Sequence, residues 1–171
     1  MVRLSHSLDA LAEGDAATSP PPLIDVDLGA AVRAALDLAQ PTLERAGLHV
    51  VVDVPGRIAA SANPDHLAQV LGNLLSNAAR YTPAGGTVTI RAEQRPSDLL
   101  VSVSNTGDGI PPADLERVFE RFYRVEKSRD RARGGAGIGL AIVKQLVEAE
   151  GGHVGAESRE GLTRFWFSLP G

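Results

Sequence analysis

The sequence predicts an α/β two-layer sandwich, a mixed β-sheet with helices packed on one face. Three observations carry this expectation. Helical apolar stripes alternate with short β-branched runs through the first half of the chain. Paired strand patterns follow, so some neighbours must run antiparallel. The 171 residues are 43% hydrophobic and 22% charged, the balance of one ordinary globular domain with a short appendage.

The elements follow in order. Leu4, Leu8 and Leu11 fall at i, i+4 and i+7, one face of a helix too short to stand alone. Gly14 suits its end, and the run to Pro22, closing on three prolines, reads as a linker. The expected organisation is therefore a helical remnant over 1–13, a linker over 14–22 and a domain over 23–171. A strand is expected over 23–26. Asp27 then caps a helix burying Leu28, Val32, Ala35, Leu36 and Ala39, which Pro41 is expected to kink or split. Strands are expected over 48–54 and 57–60. Asn63 or Asp65 starts a second helix with Leu67, Val70, Leu71, Leu74 and Leu75 inward, stopping before Pro83. Gly85-Gly86 makes a turn. Residues 87–92 and 99–103 alternate as paired strands, 105–112 form a loop and 113–119 a short helix. A third long helix spans 138–150, and strands over 154–158 and 163–169 close the sheet.

Several function classes fall away. No run of eighteen apolar residues is present, so no membrane span is expected. The start is soon broken by Ser5, His6, Ser7 and Asp9, unlike a signal peptide. With no cysteine, disulfides and thiolate chemistry are impossible. A net charge of −4 makes a poor general binder of nucleic acid.

Asn73 and Asn77 lie four residues apart, one turn apart on one helix face beside Leu71, Leu74, Leu75 and Ala78. Each buried amide needs partners, so the pair is a poor choice for stability alone. Neutral oxygens suit Mg²⁺, which keeps waters and shares phosphate oxygens. The other reading has both amides facing solvent or capping a loop. Arg80, a turn further on, is placed to meet a phosphate. In Asn105-Thr106-Gly107-Asp108-Gly109-Ile110-Pro111, two alternate glycines let the backbone approach a flat ligand or turn with positive φ. A plain strand-to-helix turn would look the same. Gly134-Gly135-Ala136-Gly137-Ile138-Gly139-Leu140 leads into a helix, where free N–H groups and the dipole favour phosphate. A flexible hinge is the alternative. The dinucleotide fingerprint fails at Leu140, and no G-K-[ST] follows. Between these loops, residues 117–133 carry seven basic side chains against three acidic, pointing to a multiply charged anion. Phe119, Phe122 and Tyr123 cluster at one end of that segment and are expected to pack its base, not to stack nucleic-acid bases.

Taken together, these segments resemble a known family. Asn73-Leu74-Leu75-Ser76-Asn77-Ala78-Ala79-Arg80-Tyr81-Thr82-Pro83 is similar to the N box of sensor histidine kinases. Residues 105–110 resemble the G1 box, Phe119-Glu120-Arg121-Phe122-Tyr123-Arg124 the F box, and 135–140 the G2 box, in the family's order and spacing. Over about 24–171 the chain is identified as a member of the GHKL ATPase superfamily. The resemblance implies the Bergerat sandwich, holding ATP between the N-box helix and a lid. Asn77 matches the Mg²⁺ ligand, with Asn73 as a second or water-mediated contact. Arg80 matches a phosphate contact and Tyr81 an aromatic beside adenine. Asn105 takes the adenine-reading position, and Gly107, Gly109 and Ile110 the wall of the base pocket. Arg133 matches a lid residue that reaches the phosphates. Gly135, Gly137, Ile138, Gly139 and Leu140 match the loop and helix start beneath the triphosphate.

The implied activity is transfer of the γ-phosphoryl group of Mg²⁺-ATP to a histidine on a separate helical domain, resting on positioning and charge neutralisation. The chain would be a cytoplasmic, monomeric fragment without direct membrane or nucleic-acid contact. The whole kinase would be a membrane-anchored homodimer serving a response regulator. Four departures stand out. Asn105 replaces the usual aspartate and accepts without charge assistance. Ala136 replaces a longer polar residue. Gly161-Leu162-Thr163 holds one glycine where two are usual. His6, followed by Ser7-Leu8-Asp9, does not match a phospho-accepting histidine, and His49, His66 and His153 read as structural or exposed. The fragment is thus expected to bind ATP without phosphorylating itself. The rival is a nucleotide-gated interaction module, a degenerate pseudokinase or a serine kinase of the same superfamily. Asn73, where a hydrolase needs glutamate, argues against an ATPase.

Overall fold

The computed structural model describes residues 22–120 and 139–170. The expected N-terminal helix, most of the linker, and Phe122, Tyr123, Arg133, Gly135, Gly137 and Ile138 lie outside the described residues.

Strand β1, Ile24–Asp27, runs directly into α1, Leu28–Arg45. Asp27 is extended and its Oδ1 accepts from the Ala30 N–H at 3.3 Å, the expected cap. Pro41 does not split α1, which continues to Arg45. Leu43, 3% exposed, pins the last turn to the core. The end is closed by Gly47 at φ +71, whose N–H reaches the Glu44 carbonyl while Leu48 N–H reaches Leu43.

Next come β2, His49–Asp53, and β3, Ala59–Ala62. The latter sits two residues beyond its expected place. Its position is set by antiparallel pairing with β1, from Ile24↔Ala62 to Asp27↔Ala59. Helix α2, Pro64–Tyr81, is followed by β4, Thr87–Gln94, and β5, Asp98–Thr106. Asn105 and Thr106 therefore belong to a strand, and the loop begins at Gly107. Helix α3 is a single turn, Pro112–Leu115, shorter than expected. Helix α4, Gly139–Ala149, leads to β6, Val154–Arg159, and β7, Leu162–Pro170.

The main sheet has the order β2-β4-β5-β7-β6, with β2 parallel to β4 and the other pairs antiparallel. Alternation aims one face at the helices: Val88 and Ile90 from β4, Val101 and Val103 from β5, Phe165 and Phe167 from β7. Helix α2 answers with Leu67, Val70, Leu71, Leu74 and Leu75, and α4 with Ile142, Val143, Leu146 and Val147. Each such side chain contributes about 1.5–3 kcal/mol of burial. This is the expected sandwich with helices on one face.

Candidate functional site

Helix α2 is fixed at its start by Asn63, whose Oδ1 accepts from the Asp65 and His66 N–H groups at 3.0 and 3.1 Å. Pro64 takes the first helical position, where its missing N–H costs nothing. The helix then runs unbroken to Tyr81. That continuity sets Asn73 and Asn77 one turn apart on its half-buried border.

The two amides differ. Asn73 Nδ2 donates to the Gly139 carbonyl at 3.3 Å, tying the N-box helix to the first residue of α4. Asn77 makes no side-chain hydrogen bond among the described residues. Arg80 and Tyr81 stand half-buried in the last turn. Thr82 leaves the helix in extended conformation, its N–H still on the Ala78 carbonyl. Its Oγ1 is buried without a partner among the described residues, a costly arrangement.

Opposite lies the end of the core-facing sheet surface. There the apolar row, which on β4 ends at Val88, gives way to polar residues paired directly across strands: Asn105, Thr163 and Ser158 on β5, β7 and β6. Asn105 is buried, and its Nδ2 donates to the Thr106 carbonyl at 3.2 Å. Ser158 Oγ lies 3.2 Å from Thr163 Oγ1 and accepts from the Ile110 N–H at 2.9 Å. The G1 loop is thereby bound to this polar floor. Gly109, at φ +85, has no alternative, because a Cβ there would collide with Ser158 Oγ. Gly107 donates its N–H to the Gly161 carbonyl at 3.0 Å and lies against Pro83, just past the N-box helix.

The fold thus joins Asn73 to Gly139, and Gly107 to Pro83, Asn105 and Gly161. Leu140 packs against the core. Phe119 meets Phe165 edge to face, centroids 6.3 Å apart, as expected for the base of the basic segment. Ser158, Thr163 and Thr82 were not singled out from sequence. Strand alternation in phase with half-buried Ala156 and buried Phe165 is the signal that marks the first two.

The resolved titration shifts lie at the surface. The Arg95 guanidinium, bonded to Asp98 at 2.6 and 2.7 Å, holds that carboxyl below its ordinary range. The hydrogen bond that Arg117 Nε donates to Glu120 Oε2 holds that guanidinium above its ordinary range. No group of three or more His, Cys, Asp or Glu suited to a metal occurs among the described residues. The neutral amides of Asn73 and Asn77 fit a hard cation that brings its own waters and phosphate oxygens.

Residues 62–171 match the family model described as histidine kinase-, DNA gyrase B-, and HSP90-like ATPase. The chain is 49% identical over 109 residues to the sensor histidine kinase WalK of Bacillus subtilis, covering 62% of this chain and 18% of WalK. It is 37% identical over 151 residues to the sensor-like histidine kinase SenX3 of Mycobacterium tuberculosis, covering 88% of this chain and 37% of SenX3. The chain therefore spans well under half the length of these relatives. Among solved structures it resembles the mycobacterial sensor histidine kinase MprB at TM-score 0.76 and 30% identity, covering 86% of this chain and 98% of that one. Full-length ShkA, solved in complex with AMPPNP, matches at TM-score 0.84 and 32% identity, over 98% of this chain and 35% of ShkA.

Proposed function

The chain belongs to the histidine kinase-, DNA gyrase B-, and HSP90-like ATPase family, and on that premise we propose that residues 23–171 are the ATP-binding catalytic domain of a two-component sensor histidine kinase. The observation that carries this reading is the bond from Asn73 to the Gly139 carbonyl, which joins the N-box helix to the glycine-led helix start. The AMPPNP bound to ShkA supports a nucleotide as the ligand.

In this reading Asn77, with Asn73 beside it, would hold Mg²⁺, which offsets phosphate charge when bound. Arg80 and Arg133 add positive charge from the helix end and the basic segment. Gly139 and Leu140, preceded by Gly135, Gly137 and Ile138, offer main-chain N–H groups to the phosphates. The base lies along Gly107, Gly109 and Ile110, beside Tyr81, with its exocyclic edge toward Asn105. The residues bind and orient ATP, and the γ-phosphoryl group passes to a histidine on a separate helical domain and onward to a response regulator. His66 lies 3.3 Å from Glu150, and His49 and His153 are exposed, the first on β2 and the second just before β6, so none is a natural acceptor. The fragment is a cytoplasmic monomer; the whole kinase is a membrane-anchored homodimer.

The uncharged Asn105 favours one rival, a nucleotide-gated module without transfer activity. Titration with ATP at millimolar Mg²⁺ tests the main reading. Asn77→Ala is expected to weaken Mg²⁺-dependent binding by about tenfold to a hundredfold, the loss of one cation ligand. Unchanged affinity would overturn the assignment of the N box.

A further inference from the structure

We infer that β2 is a self-pairing edge, where two copies of this chain join their main sheets antiparallel about a two-fold axis through Val51. The inference is independent of the nucleotide reading. Strand β2 ends the order β2-β4-β5-β7-β6, so among the described residues it has β4 on one side and no strand on the other. All five of its side chains are exposed, with Val50, Val51 and Val52 at 37%, 48% and 47%. The opposite edge, β6, carries the charges that usually guard a free strand, Glu157 and Arg159. Between its ends β2 has none.

The backbone decides which groups face outward. His49 pairs in parallel with Thr87, and its N–H donates to the Gly86 carbonyl on the β4 side at 2.9 Å. In a parallel pair one residue aims both its N–H and its C=O at the neighbour, and the next aims both away. Val51 and Asp53 therefore also turn to β4. Val50 and Val52 present N–H and C=O at the free edge.

An antiparallel partner must exchange bonds with those two valines. Setting Val50 against Val52 of a second copy, and the reverse, makes four main-chain hydrogen bonds and puts Val51 across from itself. The same register brings His49 opposite Asp53 at both ends, in the pairs without main-chain bonds, where side chains stand closest. An imidazole N–H there meets a carboxylate. Arg91 Nε holds Asp53 Oδ2 at 3.0 Å, and Oδ1 has no partner among the described residues. Sliding the strands by two residues leaves two bonds within the strand and sets His49 or Asp53 against Val51. The sequence His49-Val50-Val51-Val52-Asp53 thus reads alike from either end: donor, three valines, acceptor. On the core-facing side Val50 and Val52, in line with Val88 and Ile90, meet their counterparts. The two-fold uses both free edges at once, so assembly stops at the dimer.

So short a contact falls below the roughly 1,200 Å² of a stable interface, and dissociation is expected on the order of 0.1–1 mM. In dilute solution the chain is a monomer. Copies tethered together, as in the homodimer proposed above, meet at about millimolar effective concentration and pair.

The test is sedimentation equilibrium of the whole 171-residue chain from about 10 μM to about 1 mM, with amide hydrogen exchange at both limits. A dimer is expected to grow in, with the Val50 and Val52 amides slowed at the upper limit. Val51→Lys sets two ammonium groups face to face on the axis and is expected to weaken pairing at least about tenfold. Should that variant not fold, Val50→Pro serves, since it removes an N–H that β4 does not use and two of the four intermolecular bonds. A chain that stays monomeric at about 1 mM would overturn the inference. So would a dimer that neither substitution weakens, a dimer without slowing at Val50 and Val52, or growth into larger species. None of these outcomes bears on the nucleotide reading.

Discussion

Helices α2 and α4 run antiparallel and are linked by polar groups at both ends, but the two ends are built on opposite terms. At one end Glu150, 7% exposed, accepts from the Asn63 N–H at 2.9 Å and lies 3.3 Å from His66 Nδ1. Asn63 in turn caps α2. Helix α4 closes there with Gly151 at φ +85, whose N–H reaches the Glu148 carbonyl, while Gly152 N–H reaches Val147. Each of these groups has a partner. At the other end Asn73 has one bond, Asn77 has none among the described residues, and Thr82 Oγ1 is sealed in without one. The closed end supplies stability. The open end holds polar groups at a cost to stability, which makes sense when a ligand completes them.

The largest effect is expected at the closed end. A Cβ on Gly152 would be driven into the Ser168 carbonyl oxygen, main chain against main chain, where Ser168 N–H also donates to His153. Gly152→Ala is expected to lose about 3 kcal/mol or more in urea unfolding. At the open end a Cβ on Gly139 meets nothing within 4 Å among the described residues, so Gly139→Ala is expected to unfold no more easily than the unaltered chain. Equal losses from the two substitutions would break the comparison.

Glu150→Ala comes next. It leaves the Asn63 N–H buried without an acceptor and removes the partner of His66, a loss of about 1–3 kcal/mol in stability. Glu150→Gln keeps an acceptor for Asn63 and is expected to lose less. Neither is expected to change ATP affinity of the folded chain, measured by titration well below the melting temperature. A tenfold weaker affinity would mean that the closed end also shapes the site.

Much of this contrast was legible in the sequence. The limits of α2 were written by Asn63-Pro64 at one end and Pro83 at the other, and the asparagine pair fell on its border. The polar floor was hidden, because Ser158 and Thr163 gain meaning when β6 and β7 pair and bring them beside Asn105. Register failed where the code was weak. The Ala59-Ala60-Ser61-Ala62 run has no alternation of its own, so pairing with β1 decided its place. Helix α3 stopped early because Val118 and Phe119 are drawn into the core beside Phe165. Pro41 failed as a breaker because buried Leu43 and the Gly47 turn hold the helix beyond it.

The smallest effects belong to the open end. Asn77→Ala removes no bond among the described residues and is expected to leave unfolding within about 0.5 kcal/mol of the unaltered chain, whatever it does to nucleotide binding. Thr82→Val is sharper, because the replacement has nearly the same shape and discards the orphaned hydroxyl. The backbone at Thr82, φ −92 and ψ 124, is extended and suits a β-branched side chain, and its N–H keeps the Ala78 carbonyl. Removing a buried group without a partner is expected to be neutral or to stabilise by up to about 1 kcal/mol. If bound nucleotide gives Oγ1 a partner, the same variant binds ATP a few-fold more weakly while unfolding later. A loss of stability in the ligand-free chain would show instead that the hydroxyl is already satisfied at rest, and the open end would then be no different from the closed one.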